Sequence, residues 1–344
     1  MPSDLIPKAR LESLLVAARG KHVVVVGDAM LDVYLRGDVE RVSPEAPVPV
    51  VRVKERKYAL GGAANVAQNV LAAGARVDLV AAIGNDQPAT QIRDMLRALG
   101  ADSGGLVATD RPTTTKTRVV ARSQQLVRVD EERDDDLNAS DAAHVEEVAL
   151  KAIAGADALV LEDYNKGVLV ESLIAHVIAA ARKKGIPIVV DPKYKNFFCY
   201  AGATVFKPNR RELDSALGAA VDVDHPETLP TVLERLGADS LLLTLSERGM
   251  ALIERSSGAK GASAATGANR ISRIPTTARE VYDVVGAGDT VTAYLAAMLA
   301  AGATRLEAAV IANFAAGVEV GKSGAATVSP AEILAAYDHH QGNA

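Results

Sequence analysis

The chain has 344 residues, 49% of them hydrophobic and 24% charged, with a formal net charge of −5. That length can bury a large core, while the negative balance excludes a global basic field for nucleic acid, so any anionic ligand must be met by local Lys and Arg. One cysteine, Cys199, excludes an internal disulfide; with a polar N-terminus and no membrane-length apolar run, the sequence predicts a cytoplasmic protein that engages neither nucleic acid nor membrane.

Residues 8–19 place Leu11, Leu14, Leu15 and Ala18 at helical spacing, and Gly20 closes the run. Residues 22–26 are a β-branched run, read as a buried parallel strand. Beyond it comes Gly27-Asp28-Ala29-Met30-Leu31-Asp32, where an open parallel sheet holds its ligands. Asp28 and Asp32 there either accept hydrogen bonds from ligand hydroxyls or only cap a turn. From Tyr34 to Leu60 the pattern changes to short alternating strands broken by Pro44, Pro47 and Pro49, and residues 112–130 read the same way. These excursions are predicted to form one small sheet projecting from the main domain. Its uncovered faces and edges predict a homodimer joined through it.

Between the excursions a helix is predicted over 65–73, a strand over 77–83 and a helix over 88–99. Asp134-Asp135-Asp136 reads as a solvated run before a helix from about Asp141, because neighbours in sequence do not converge on one ion. Strand–helix units follow, with strands at 158–161, 186–190 and 204–206 and helices at 172–184 and from Arg211. Strands at 240–244 and 251–254 flank a turn at Glu247-Arg248-Gly249, and the Ser-, Gly- and Ala-rich residues 256–270 read as a surface loop. Helices are predicted at 289–301, at 304–320 and from about 330. This alternation predicts an α/β protein, one domain over 1–344 with a mainly parallel central sheet flanked by helices.

The chemistry concentrates in Asp283-Val284-Val285-Gly286-Ala287-Gly288-Asp289-Thr290. Gly286 and Gly288 let the backbone turn with its N–H groups facing one way, and the following helix adds its positive dipole end, which makes an anion cradle. Asp289 at the lip suits taking a proton from a hydroxyl while the N–H groups steady a phosphoryl group; alternatively it merely caps the helix. Other motifs fail. Gly317-Val318-Glu319-Val320-Gly321-Lys322-Ser323 is one residue short of a Walker loop and ends a helix, no G-x-G-x-x-G follows a strand, and the scattered histidines support no zinc site.

Residues 283–289 resemble the D-x-x-G-A-G-D signature of the ribokinase-like carbohydrate kinases, and Gly61-Gly62-Ala63-Ala64-Asn65-Val66-Ala67 resembles that family's N-terminal signature. The resemblance implies a ribokinase-like fold in which the small sheet is a lid over the sugar. It further implies that Asp289 is the catalytic base, that Gly286, Ala287 and Gly288 form the anion hole, and that Asp28, Asp32, Gly61, Gly62 and Asn65 bind the sugar. Lys207-Pro208-Asn209-Arg210-Arg211-Glu212 is similar to the family's N-x-x-E element. Asn209 and Glu212 would therefore organise Mg2+ and its waters around ATP, Glu212 acting through water, with Arg210 and Arg211 near phosphate. Thr244, Ser246 and Gly249 occupy the nucleotide loop, with Ser246 where a glycine is usual, and Asn313 lies where the family lines its adenine pocket. Activation by a monovalent cation near Asp283 is left open.

Finer similarity narrows the substrate. Arg41-Val42-Ser43-Pro44-Glu45-Ala46-Pro47-Val48-Pro49-Val50, Asp163-Tyr164-Asn165-Lys166-Gly167 and Asp191-Pro192-Lys193 resemble the heptose-phosphate kinases of lipopolysaccharide synthesis. The implied reaction is transfer from ATP to O1 of D-glycero-β-D-manno-heptose 7-phosphate. Asp163 joins the substrate set, and the sugar phosphate calls on Lys116, Arg118, Arg122, Lys166 and Lys193, with Arg122 and Lys193 the preferred pair. Many such kinases are fused to a nucleotidyltransferase with an H-x-G-H motif; none occurs here, so the expected activity is the kinase alone. The rival readings are a kinase for another sugar and a non-catalytic sensor on the same fold.

Overall fold

The computed structural model describes residues 5–122, 124–222, 229–255 and 270–342. The chain opens with α1 (Lys8–Ala17) and then β1 (His22–Gly27), whose valines alternate between two apolar layers. Val23 and Val25 enter one core, Val24 and Val26 the other, and all four are fully buried. A strand with no polar face has to lie inside a sheet covered on both sides, and β1 does. It pairs in parallel with β4 (Arg76–Ile83) and with β8 (Ala158–Glu162).

The large sheet continues through β5 (Leu106–Ala108) beside β4, and on the other side through β9 (Ile188–Asp191), β10 (Val205–Phe206), β11 (Ser240–Thr244), β12 (Met250–Glu254) and β13 (Arg270–Ile274). Its order is β13-β12-β11-β10-β9-β8-β1-β4-β5, parallel except for the antiparallel pairs at β12. Helices α2 (Ala63–Ala72), α8 (Ala287–Ala300), α9 (Arg305–Glu319) and α10 (Pro330–Gly342) cover one face with α1. Helices α4 (Ala139–Gly155), α5 (Glu171–Lys184) and α7 (Leu229–Leu236) cover the other, joined by Leu213 of α6 (Arg210–Leu217). Strand order reverses beside β1, so β8 and β4 leave it in opposite directions along the sheet. A crevice forms at such a point beyond the carboxyl ends of the strands.

The second sheet, β3-β2-β6-β7, is the lid. Here the structure corrects the expected short strands: β2 (Ala29–Val42) and β3 (Pro49–Gly62) are 14 residues each. The prolines lie in the turn and at the start of β3, outside the ladder interior where a missing N–H would be costly. Asp32 therefore sits inside a lid strand and not in a loop after β1. Strands β6 (Thr115–Ala121) and β7 (Gln124–Glu131) complete the sheet, with β6 parallel to β2. Helix α3 (Gln87–Ala98) packs near its base. Of the loop predicted at 256–270, residues 256–269 lie outside the described residues. The strand β13 that follows, together with β5 and α7, is not among the expected elements, although Leu229, Val232, Leu233 and Leu236 of α7 stand at helical spacing.

Candidate active site

Strand ends bring the chemistry together: Asp28 follows β1, Glu162 and Asp163 close β8, Asp191 ends β9 and Lys207 follows β10. Across from them α8 begins. Its N-cap is Gly286, at φ 97°, so Ala287, Gly288 and Asp289 form the first turn with N–H groups not yet used inside the helix. The turn is crowded. A Cβ on Gly286 would lie 3.0 Å from Asn65 Nδ2, whereas one on Gly288 would meet nothing closer than 3.9 Å, at Asp191 Oδ2 and Lys207 Nζ. Gly288 thus leaves space on the side of the acidic cluster.

Asp289 does not cap its helix. Its buried carboxylate accepts from Asn65 Nδ2 at 2.6 Å on Oδ2 and from the Tyr164 hydroxyl at 2.9 Å on Oδ1. Burial, followed by repulsion from Asp191, pushes its pKa up to about 6 against the pull of those two donors. Asn65 is itself held, accepting from Gln68 and Asn69.

Glu162, Asp191 and Asp289 each place a carboxylate oxygen within 4.8 Å of the others. Lys207 Nζ pairs with Asp191 Oδ2 at 2.8 Å. Burial opposes both charges, yet Lys207 and Lys193 hold Asp191 below its ordinary pKa, and Asp191 in turn raises that of Lys207. Glu162 has no such partner. Burial and the neighbouring Asp191 and Asp289 drive it well above the carboxylate range, so that it keeps a proton it can donate to Asp191. A second buried acid stands near the start of α8. Glu319 is raised to about 8 by burial and then by Asp283 and Asp289, against the pull of the Ala326 backbone N–H and Lys322.

Several sequence-predicted residues have other employment. Asp28 is tied to the loop after β8: its carboxylate accepts the backbone N–H groups of Tyr164, Lys166 and Val168 at 2.8, 3.0 and 3.2 Å. A carboxylate offers about four lone pairs, so these bonds leave room for a ligand hydroxyl. Asp163 is held likewise, accepting from Asn165 N and the Tyr200 hydroxyl, both at 2.7 Å. Asp32 faces the crevice side of the lid, paired with Arg118 at 2.5 Å and lying against Gly61, where a Cβ would be 2.7 Å from its Oδ2. Gly62, at φ 55°, leaves no room for a Cβ against Asp28 O, 2.4 Å away.

The preferred cation pair is not assembled. Arg122 sits at the exposed tip of the β6–β7 hairpin, six residues and roughly 20 Å of extended strand beyond Lys116. Lys193 lies deep in the crevice, bonded to Glu212 and over the Tyr164 ring at 4.8 Å. Lys116 lies 5.8 Å from the centroid of that ring, and Lys166 pairs with Glu132 at 2.7 Å. Lys116 and Lys193 are thus the cations on Tyr164, with Lys166 close enough to Lys116 to repel its charge.

On the nucleotide side, Asn209 caps α6 in a reciprocal box with Glu212, while Arg210 leans toward Asp214 and Arg211 is exposed. Thr244 ends β11, bonded through its N–H to Pro208 O. Ser246 has φ 53°, the left-handed backbone in which glycine costs least, which explains why a glycine is usual there. Gly249 cannot carry a side chain, since a Cβ would lie 2.1 Å from Ile274 O. Asn313 donates to Pro275 O at 2.8 Å and so fixes the segment after β13. A cavity of about 550 Å³ opens beside it, lined in part by Thr277, Arg279, Phe314 and Gly317. Tyr164, Glu162, Asp191 and Lys207 were not singled out from sequence; the strand-end position of the last three is the signal that could have found them.

The fold and its motif order define a carbohydrate kinase of ribokinase-like architecture. The chain belongs to the pfkB family of carbohydrate kinases, whose profile matches residues 20–332. It is 42% identical to the bifunctional protein HldE of Geobacter sulfurreducens over 98% of this chain and 67% of that protein. With the HldE of Shewanella amazonensis it shares 44% over 95% of this chain and 66% of that one. The chain thus spans about two thirds of the length of these curated relatives. Among solved structures it resembles Arabidopsis thaliana ribokinase complexed with ribose and ATP, with a TM-score of 0.69 and 20% identity over 92% of this chain and 99% of that one. Escherichia coli phosphofructokinase-2 in complex with potassium superposes with a TM-score of 0.74 at 17% identity, covering 94% and 99%. Enzymes of this family are ATP-dependent and generally use Mg2+, and their substrates are small molecules. No described helix is long and apolar enough to cross a membrane.

Proposed function

We propose that the chain transfers the γ-phosphoryl group of ATP to O1 of D-glycero-β-D-manno-heptose 7-phosphate. The observation that carries the kinase chemistry is Asp289, a buried carboxylate in the first turn of a glycine-started helix, facing an acidic cluster across a crevice. In this reading Asp289 takes the proton of the O1 hydroxyl as that oxygen bonds to the γ-phosphorus and the bond to the β–γ bridging oxygen breaks. The N–H groups of Ala287, Gly288 and Asp289 face the oxygens of the group in transit. Asn65 keeps the carboxylate aimed. Asp32, with Gly61 and Gly62, meets the sugar, and Lys116 and Lys166 receive its phosphate.

Support for the heptose comes from the sequence resemblance at residues 41–50, 163–167 and 191–193. Identity to the HldE relatives is also about twice that to the ribokinase and phosphofructokinase structures. The nucleotide base fits the cavity beside Asn313, with Thr244, Ser246 and Gly249 along the phosphates.

Mg2+ fits Glu162 and Asp191: hard oxygen donors that converge within 4.8 Å, and a space left open by Gly288. When bound, it supplies charge neutralisation to the phosphates, with Glu212 acting through water. Asp283 and Glu319, two neighbouring acids beside the start of α8, are the residues that would hold a monovalent cation. Mass spectrometry of products from a panel of sugars and sugar 7-phosphates with Mg-ATP tests the substrate. A bisphosphate formed from the heptose 7-phosphate is the expected product. Transfer only to a different sugar would replace the substrate, and tight binding without transfer would favour a sensor.

The lid carries a second proposal, a homodimer. Leu35, Val119 and Val127 are register partners on one face, and Val129 shares that face. Val127 and Val129 are each 49% exposed. The opposite face carries Asp32, Tyr34, Lys116 and Arg118, so the apolar side is the one to pair with a second copy.

A further inference from the structure

Tyr164 is the side chain on Asp289 that the proposed reaction leaves idle. Its hydroxyl occupies Oδ1, its ring would touch a Cβ on Gly62 at 3.5 Å, and Lys116 and Lys193 lie over the ring. The phenol therefore stands between the Gly61-Gly62 backbone and the base, in the volume an acceptor hydroxyl has to enter. The main chain beneath it is fixed, because Asp28 accepts the N–H groups of residues 164, 166 and 168. Clearing the phenol from Asp289 therefore falls to the side chain, not to the loop.

We propose that Tyr164 guards the base. In the sugar-free enzyme its hydroxyl holds the acceptor's place on Asp289, and the arriving sugar displaces it. A buried carboxylate with an open acceptor position recruits water. Water held there would be as well placed as a sugar to react: its oxygen would bond to the γ-phosphorus, its proton would pass to Asp289, and the bond to the bridging oxygen would break, releasing ADP and inorganic phosphate. A phenol oxygen tethered to a pinned loop satisfies the carboxylate without advancing on phosphorus. The charged and titratable groups that also face Asp289 are Glu162, Asp191, Lys207 and Glu319, and none of them hydrogen-bonds to its oxygens among the described contacts.

This inference rests on Asp289 being the base, and the test separates the two. Phosphate release from Mg-ATP without sugar is measured for the parent chain, Tyr164→Phe, Asp289→Asn and the double variant. Tyr164→Phe keeps the ring and its cation contacts; its sugar-independent hydrolysis is expected to rise by ~10²-fold, the low end of what a positioned general base contributes. The double variant should fall back to the parent rate. In the transfer assay Tyr164→Phe should lower KM for the sugar, since no phenol has to be displaced, with kcat changing far less. Hydrolysis at the parent rate in a folded Tyr164→Phe overturns the guard. Normal sugar transfer by Asp289→Asn overturns the base instead. Tyr164→Leu, which also lacks the hydroxyl, gives the same reading if the phenylalanine variant does not accumulate.

Discussion

Asp289 is asked to be an anion in a place that resists one. Its folded pKa of about 6 stands above the ordinary 3.8, so the folded state holds this proton more tightly than the unfolded chain does. The stability this adds is fully present below about pH 4 and is lost as pH rises through 6, leaving the ionised base a burden of at most about 3 kcal/mol at neutrality. Asp289→Asn is accordingly expected to raise the melting temperature at pH 7.5 and to change it little at pH 4, as calorimetry would show. The same substitution should lower kcat by ~10²–10⁴-fold with ATP affinity nearly unchanged. In the parent, kcat/KM should fall on the acid side of about pH 6. At this scale the motif made Asp289 and its glycines legible. What stayed hidden was whom each acid talks to. Asp28 and Asp163 carry the right chemistry in the right loops, and backbone amides and a tyrosine also hold them, pairings that a linear sequence does not show.

Helix α8 shows how an element can be readable in kind and misread at its edge. The apolar run announced it, but it starts at Ala287, so the anticipated turn is really the N-cap and first turn. Gly286 is the position that makes this start possible. Gly286→Ala should cost about 1–2 kcal/mol for the left-handed backbone. It should also cost activity, because the new methyl meets Asn65 Nδ2 at 3.0 Å and disturbs its hold on Asp289. Urea denaturation and kcat measure the two effects, and a variant with parent stability would contradict the φ of 97°. The buried valine strand was the easiest element to read. Strands β2 and β3 were harder, since a long hairpin that is half core and half lid changes its burial pattern midway.

At the scale of the molecule, strand–helix alternation sufficed for a mainly parallel layered sheet, and the position of the site followed from where the strands end. The partner surface belongs to this scale too. Val127→Asp with Val129→Asp should shift the chain from dimer to monomer in sedimentation at micromolar concentration, and a parent already monomeric there would remove the dimer. The layer that covers β1 on the α8 side raises a different matter. Val23, Val25, Leu79 and Ala81 share that layer with Leu295 and Ile311, which are made more than two hundred positions later. Helices α1 and α2 cover part of it early, but at ~5–20 residues per second the rest stays bare for about 10–55 s until α8 exists. In the cell, then, the hazard for this kinase is greatest before its last third is translated, and holdase chaperones should bind the ribosome-attached N-terminal half and let go once α8 and α9 dock.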